Sequence, residues 1–204
     1  MITFILVVLL LFIVPGPAVI ITVTQTLKGG RKNGFLTGIG IGIADLCHTI
    51  AAVAGLSAIL MTSSLAFEII KYAGAFYLFY LGISSFITKK QQKSAPTNRK
   101  KPSNNALGQA FLIELLNPKT SLFFLAFLPQ FVRSDGFPIT IQLLILGITF
   151  VIMSIMYTSL LVLVSDTVGN KILLKANQNS SWFPKVVGIV YIGLGLRLAV
   201  ESQT

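Results

Sequence analysis

Two long apolar runs in this chain are each interrupted by proline near their middles. Pro15-Gly16-Pro17 breaks the run from Ile2 to Leu27, and Asn117-Pro118-Lys119 breaks the run from Ala106 to Val132. Proline removes a backbone donor and its ring collides with the preceding turn, so a break within hydrocarbon frees carbonyls that need another partner. Such backbone is tolerated at membrane depth only where it is buried in protein or lines a cavity. Breaks at corresponding places in two halves point to a binding site near the bilayer midplane, the arrangement of a transporter.

The rest of the chain is consistent with a membrane setting. Of its 204 residues 54% are hydrophobic and 11% are charged, against about 25% charged in an average soluble domain. Six apolar windows are long enough to span, at roughly 3 to 25, 37 to 62, 68 to 87, 107 to 132, 138 to 164 and 183 to 200. The last is the weakest, with Lys185 and Arg197 placed to snorkel from its ends. Six spans use most of the length, which leaves one transmembrane domain over 1–204 and no separate soluble or catalytic insertion. The run lacks the charged leader and short apolar core of a cleavable signal. One cysteine, Cys47, excludes an intrachain disulfide.

Net charge +10 raises the question of nucleic acid, but the charges are grouped by loop. Lys28, Arg31 and Lys32 follow the first span, Lys89 to Lys101 follows the third, and Lys171, Lys175 and Lys185 follow the fifth; the even connections are nearly bare apart from Arg133. That is the distribution of a multi-pass protein with its odd loops in the cytoplasm and both termini outside, and it argues against a nucleic-acid partner. Residues 89–105, with Pro96, Pro102, serines and asparagines, read as a solvated basic linker, with anionic lipid as the alternative ligand.

The two halves also repeat. Pro17 is followed 17 positions later by Gly34 in Asn33-Gly34-Phe35, and Pro118 is followed 18 positions later by Gly136 in Asp135-Gly136-Phe137. Lys71-x-x-Gly74-x-x-Tyr77-Leu78 matches Lys185-x-x-Gly188-x-x-Tyr191-Ile192, and the extra length of the second half fits the polar stretch Ser165 to Ser181. Three spans per half force the second copy to enter from the opposite side. The expected fold is an all-α integral membrane protein of six transmembrane helices, arranged as two inverted three-helix repeats (1–88 and 106–204) with broken first and fourth helices.

Few side chains in the spans carry chemistry. Lys119 lies deep in its span, where an isolated cation costs at least about 2.5 kcal/mol, so it needs a partner; Glu114 and Asp45 are the carboxylates on offer. Asp45 and His48 share one helical face. Asp45 suits a counter-ion or a proton carrier, and His48 suits a proton relay or a hydrogen-bonded packing position. Asp45, Cys47 and His48 make a poor metal set, because Cys47 points away from the other two. Gly34, Gly38 and Gly42 give a smooth surface for close helix contact, within the chain or in a homodimer. Phe76, Tyr77, Phe79 and Tyr80 read as packing and interface anchors. Nothing supports an enzyme: there is no phosphate loop and a single histidine.

Taken together, Pro15-Gly16-Pro17, the Asn117-Pro118-Lys119 motif followed by Phe123-Phe124 and Leu128-Pro129-Gln130-Phe131, and the Lys71 to Gly82 segment resemble the LysE/RhtB family of bacterial amino-acid exporters, along essentially the whole chain. The resemblance implies an inner-membrane protein that exports amino acids or related metabolites by proton antiport, with no cofactor. Members often carry asparagine directly after the first Pro-Gly-Pro; here the residue is Ala18.

These readings place a substrate between the two breaks, at Pro15, Gly16, Pro17, Asp45, Asn117, Pro118 and Lys119. Its carboxylate is expected at the backbone N–H groups near Gly16 or at Lys119, and Asp45 faces its ammonium or exchanges a proton for it, with Glu114 and His48 as further proton-coupling groups. The alternatives are export of a metal or other cation, and a non-transporting membrane accessory protein.

Overall fold

The computed structural model describes residues 1–62, 64–87, 105–133, 136–179 and 183–200, and every regular element among them is helical. The basic linker at 89–105 falls, except for Asn105, outside the described residues. Helix α1 is Ile2–Ile13, α2 is Pro17–Thr62, α3 is Ser64–Ile87, α4 is Ala106–Leu115 and α5 is Pro118–Leu122; α6 is Ile139–Asn179 and α7 is Phe183–Val200. From α5 the chain runs on through a π-helical turn, Phe123–Phe127, and a 3-10 turn, Leu128–Phe131.

Pro17–Leu56 and Ile139–Thr167 are long and apolar enough to cross a membrane, and Ala106–Leu115 with Pro118–Phe131, bent by 46°, makes a third span if the pair is counted as one. The first of these stretches is not one straight rod. Gly30 has φ 72 and ψ −175, a left-handed conformation that L side chains rarely adopt. Val19 and Ile41 would stand about 33 Å apart on an unbroken helix, yet they line the same cavity. A Cβ on Gly34 would likewise fall against the side chain of Thr26. The chain therefore doubles back at Gly30. The connection expected between the first two spans, about a dozen residues long, is instead helical up to Gly29 and again from Arg31, with a single glycine as the corner. The polar stretch from Ser165 likewise continues α6 to Asn179 rather than forming a loop.

Packing follows the glycines. Cβ atoms added at Gly34, Gly38 and Gly42 would meet Val162, Thr158 and Ile155 of α6, while one at Gly40 would strike the Leu107 carbonyl of α4. The arm 31–62 is thus wedged between α4 and α6, and α3 lies along α7. Helix α1 buries Phe4, Val7, Val8 and Leu11, the i, i+3, i+4, i+7 stripe of one face, against Phe123, Phe124 and Phe127. Its other face leaves Ile2, Leu6, Leu9 and Ile13 exposed, as suits a helix against hydrocarbon. Phe76 and Tyr80 are exposed and Tyr77 is half-buried, with Tyr77 and Tyr80 ring to ring at 6.2 Å.

Candidate functional site

At the first break α1 stops at Ile13, Val14 is extended, and helix resumes at Pro17. In a continuous helix the Leu11 carbonyl would accept from the N–H four residues on, but that residue is Pro15 and has none. The carbonyl of Val14 would accept from Ala18, across the break. Both oxygens accept instead from Lys119 Nζ, at 2.6 Å and 2.7 Å. The negative end of α1 is thereby met by a cation, the favourable sign for a helix C-terminus.

At the second break the freed groups are satisfied by side chains. Asn117 caps α5, its Oδ1 accepting from the Lys119 N–H at 3.1 Å, while Pro118 occupies the first helical position, where no donor is needed. Asn117 Nδ2 donates to Glu114 Oε2 at 3.0 Å, and Thr120 Oγ1 donates to Glu114 Oε1. Both carboxylate oxygens of Glu114 are thus occupied, and the residue is buried. Pro118 frees the Glu114 carbonyl, which accepts from the Asn117 N–H at 3.0 Å and faces His48 Nε2 at 3.3 Å. A carbonyl only accepts, so the ring N–H of His48 donates. His48 also stacks on Phe124, centroids 5.7 Å apart.

Asp45 is fully buried, and neither of its carboxylate oxygens makes a hydrogen bond. Glu114 and Ser154 are the polar residues that act on it. A buried carboxylate whose oxygens make no hydrogen bond of ordinary geometry is costly.

Between the breaks lies a cavity of about 430 Å³, counting its open mouth. Gly16, Glu114, Asn117 and Lys119 line it, so the structure brings together four of the expected site residues. Pro15, Pro17 and Pro118 shape the breaks from exposed positions. Asp45 and His48 are not on the wall; Asp45 stands behind Ser154 and Glu114, which are. Lys119 takes carbonyl oxygens as its hydrogen-bond partners, not Glu114 or Asp45. Cys47 is a free thiol, and among the described residues no three His, Cys, Asp or Glu side chains gather as a metal site.

The LysE type translocator family matches residues 9–202. The chain belongs to that family. It is therefore a multi-pass membrane translocator and not an enzyme. Among its relatives, the "Leucine efflux protein" of Salmonella typhimurium is 31% identical over 192 residues, which cover 92% of this chain and 88% of that one. The protein of the same name from an Enterobacter species is 30% identical over 190 residues, covering 92% and 89%. The "Uncharacterized membrane protein YrhP" of Bacillus subtilis is 30% identical over 201 residues, 94% of each chain. No solved structure matches.

For this LysE type translocator, reading the residues alone misses part of the wall. Ser154, Tyr157 and Thr158 of α6 face the cavity together with Phe12 and Phe150. Their signal is a polar stripe at i, i+3, i+4 within an otherwise apolar span. Tyr157 stacks on Phe12 at 5.1 Å, so this stripe is tied to α1 just before its break.

Proposed function

We propose that this translocator exports amino acids from the cytoplasm across the bacterial inner membrane, with an apolar α-amino acid such as leucine as the first substrate to test. One observation carries the reading: the two helix breaks face a single cavity that offers one cation, Lys119, and an apolar wall including Leu11, Val19, Ile41 and Phe150. An amino-acid carboxylate suits the ammonium, and an aliphatic side chain suits the wall. The printed function of the leucine efflux relatives supports the same substrate class.

The coupling ion in this reading is the proton, carried by Asp45 with Glu114 and His48 beside it. A buried carboxylate beside a second carboxylate is suited to gain and lose a proton as the cavity changes sides. The wider architecture we propose is the six-span inverted repeat with both termini outside. Its support is the pairing of counterparts: residues 31–62 pack on α6, and α3 on α7.

The test is efflux of a labelled amino-acid panel from proteoliposomes holding the purified protein, with and without an imposed pH gradient. Leucine and its apolar analogues should leave fastest, and the gradient should accelerate them. Failure of every amino acid to move under either condition would refute the substrate class, while movement indifferent to the gradient would refute the proton.

A further inference from the structure

The pair of carbonyls at the end of α1 is a cation site already filled from within the protein. Leu11 O and Val14 O converge on one ammonium at 2.6 Å and 2.7 Å, the short distances of charge-assisted hydrogen bonds. The ammonium is Lys119 Nζ, and Lys119 also lines the cavity where the proposed substrate enters. An α-amino acid brings an ammonium of its own, and that group needs a receptor.

The carboxylates are poor receptors here. Glu114 has one oxygen taken by Asn117 and the other by Thr120. Asp45 lies behind the wall. Two acceptors already hold an ammonium, the carbonyls of Leu11, which lines the cavity, and of Val14, which is buried beside it, both reached through Lys119 on the cavity wall.

We propose that the Leu11 and Val14 carbonyls are the receptor for the substrate ammonium, and that an amino acid binds by exchange, its ammonium taking the carbonyls while its carboxylate takes the displaced Lys119. The substrate identity in this inference rests on the amino-acid reading above; the cation site does not. The exchange leaves no ion unpaired, because one ammonium replaces another and the released lysine meets a carboxylate. A bare amine would strand Lys119 in a low-dielectric cavity, and a bare carboxylate would pull Lys119 away and strand the carbonyls. The site therefore selects molecules that carry both charges. Gly16 lies directly against the lysine: a Cβ there would be in ordinary van der Waals contact with it, 3.5 Å from Lys119 Cδ and 3.7 Å from Nζ, without a clash.

The experiment is thermal melting of the detergent-purified protein with small cations. Lys119→Ala removes the atoms of a propylammonium ion, so n-propylammonium should refill the space and raise the melting temperature of this variant by about 3 °C. Tetramethylammonium has no N–H and should not. Lys119→Met keeps the space filled and should not respond to either ion. No rescue of Lys119→Ala, equal rescue by the quaternary ion, or equal rescue of Lys119→Met would each overturn the cation site.

A second measurement needs no variant. Leucine should stabilise the wild-type protein, whereas isoamylamine and 4-methylpentanoate, its two halves, should do so far less at the same concentration. A half-ligand as effective as leucine would overturn the exchange. Rescue of Lys119→Ala with no wild-type response to any amino acid would sink the substrate class and keep the cation site. A wild-type response to leucine without that rescue would do the reverse.

Discussion

The two helix breaks occupy corresponding places in the chain and solve the same problem by opposite means. The second is closed by its own side chains: Asn117 caps the resumed helix, and Glu114 is held by Asn117 and Thr120. The first, Pro15-Gly16-Pro17-Ala18, has no polar side chain at all, and its freed carbonyls are held from across the molecule by Lys119. Aligned on their central prolines, Pro17 and Pro118, the positions of Gly16 and Ala18 answer to Asn117 and Lys119. One half has kept the side chains and the other has kept the space they reach into. A break that satisfies itself is a fixed point, whereas a break satisfied by a distant cation can be released when that cation finds another partner. In the proposed exchange the first break changes its partner, while the second keeps its own.

The substitution expected to cut deepest is Lys119→Met, which removes two hydrogen bonds from a charged donor, each worth about 1.5–3 kcal/mol. Amino-acid efflux should fall by on the order of 100-fold while the protein still inserts and purifies; full efflux would show that the first break needs no cation. Glu114→Gln comes next. It keeps the shape of the second break but turns charge-assisted bonds into neutral ones, so efflux should drop roughly tenfold, as read by initial rates in the same vesicles.

Asn117→Ala takes away a helix cap worth about 1 kcal/mol. Its mark should be a melting temperature lower by about 2–4 °C rather than lost transport. Gly16→Ala should do least. A Cβ there meets only the flexible Lys119 side chain, at 3.5 Å, so initial efflux rates should stay within about twofold of wild type. A large loss at Gly16 would mean that the first break also needs close backbone approach to the solute.

Much of this contrast is legible in the residues, because proline and glycine act through the backbone and leave the same mark wherever they occur. The two breaks, the glycine surface of the second span and the depth of Lys119 follow from that. The partner of Lys119 does not. Side chains are the visible candidates in a sequence, and they suggest Glu114 or Asp45; the actual acceptors are two main-chain oxygens. A trace of them was present, since Pro15 four residues after Leu11 means that the Leu11 carbonyl has lost its helical donor. The same rule run at Pro118 exposes the Glu114 carbonyl and explains His48, whose ring N–H faces it. Gly30 was hidden for a different reason. Lys28, Arg31 and Lys32 suggest a loop, but charged residues are good helix formers, and only the one glycine at φ 72 turns the chain. The role of Asp45 behind the cavity depends on how α2, α4 and α6 meet, and no local pattern encodes that.

In the proposed mechanism the solute sits in the cavity between the two breaks. The direct measurement is labelling of Ala18→Cys, a position on the cavity wall, by a small maleimide in a Cys47→Ser background, with and without saturating leucine. Leucine should slow the labelling strongly, glutamate at the same concentration should slow it less, and a cysteine on the exposed face of α1, at Leu9, should be protected by neither. Equal labelling of Ala18→Cys with and without leucine, in protein that still exports it, would place the solute elsewhere.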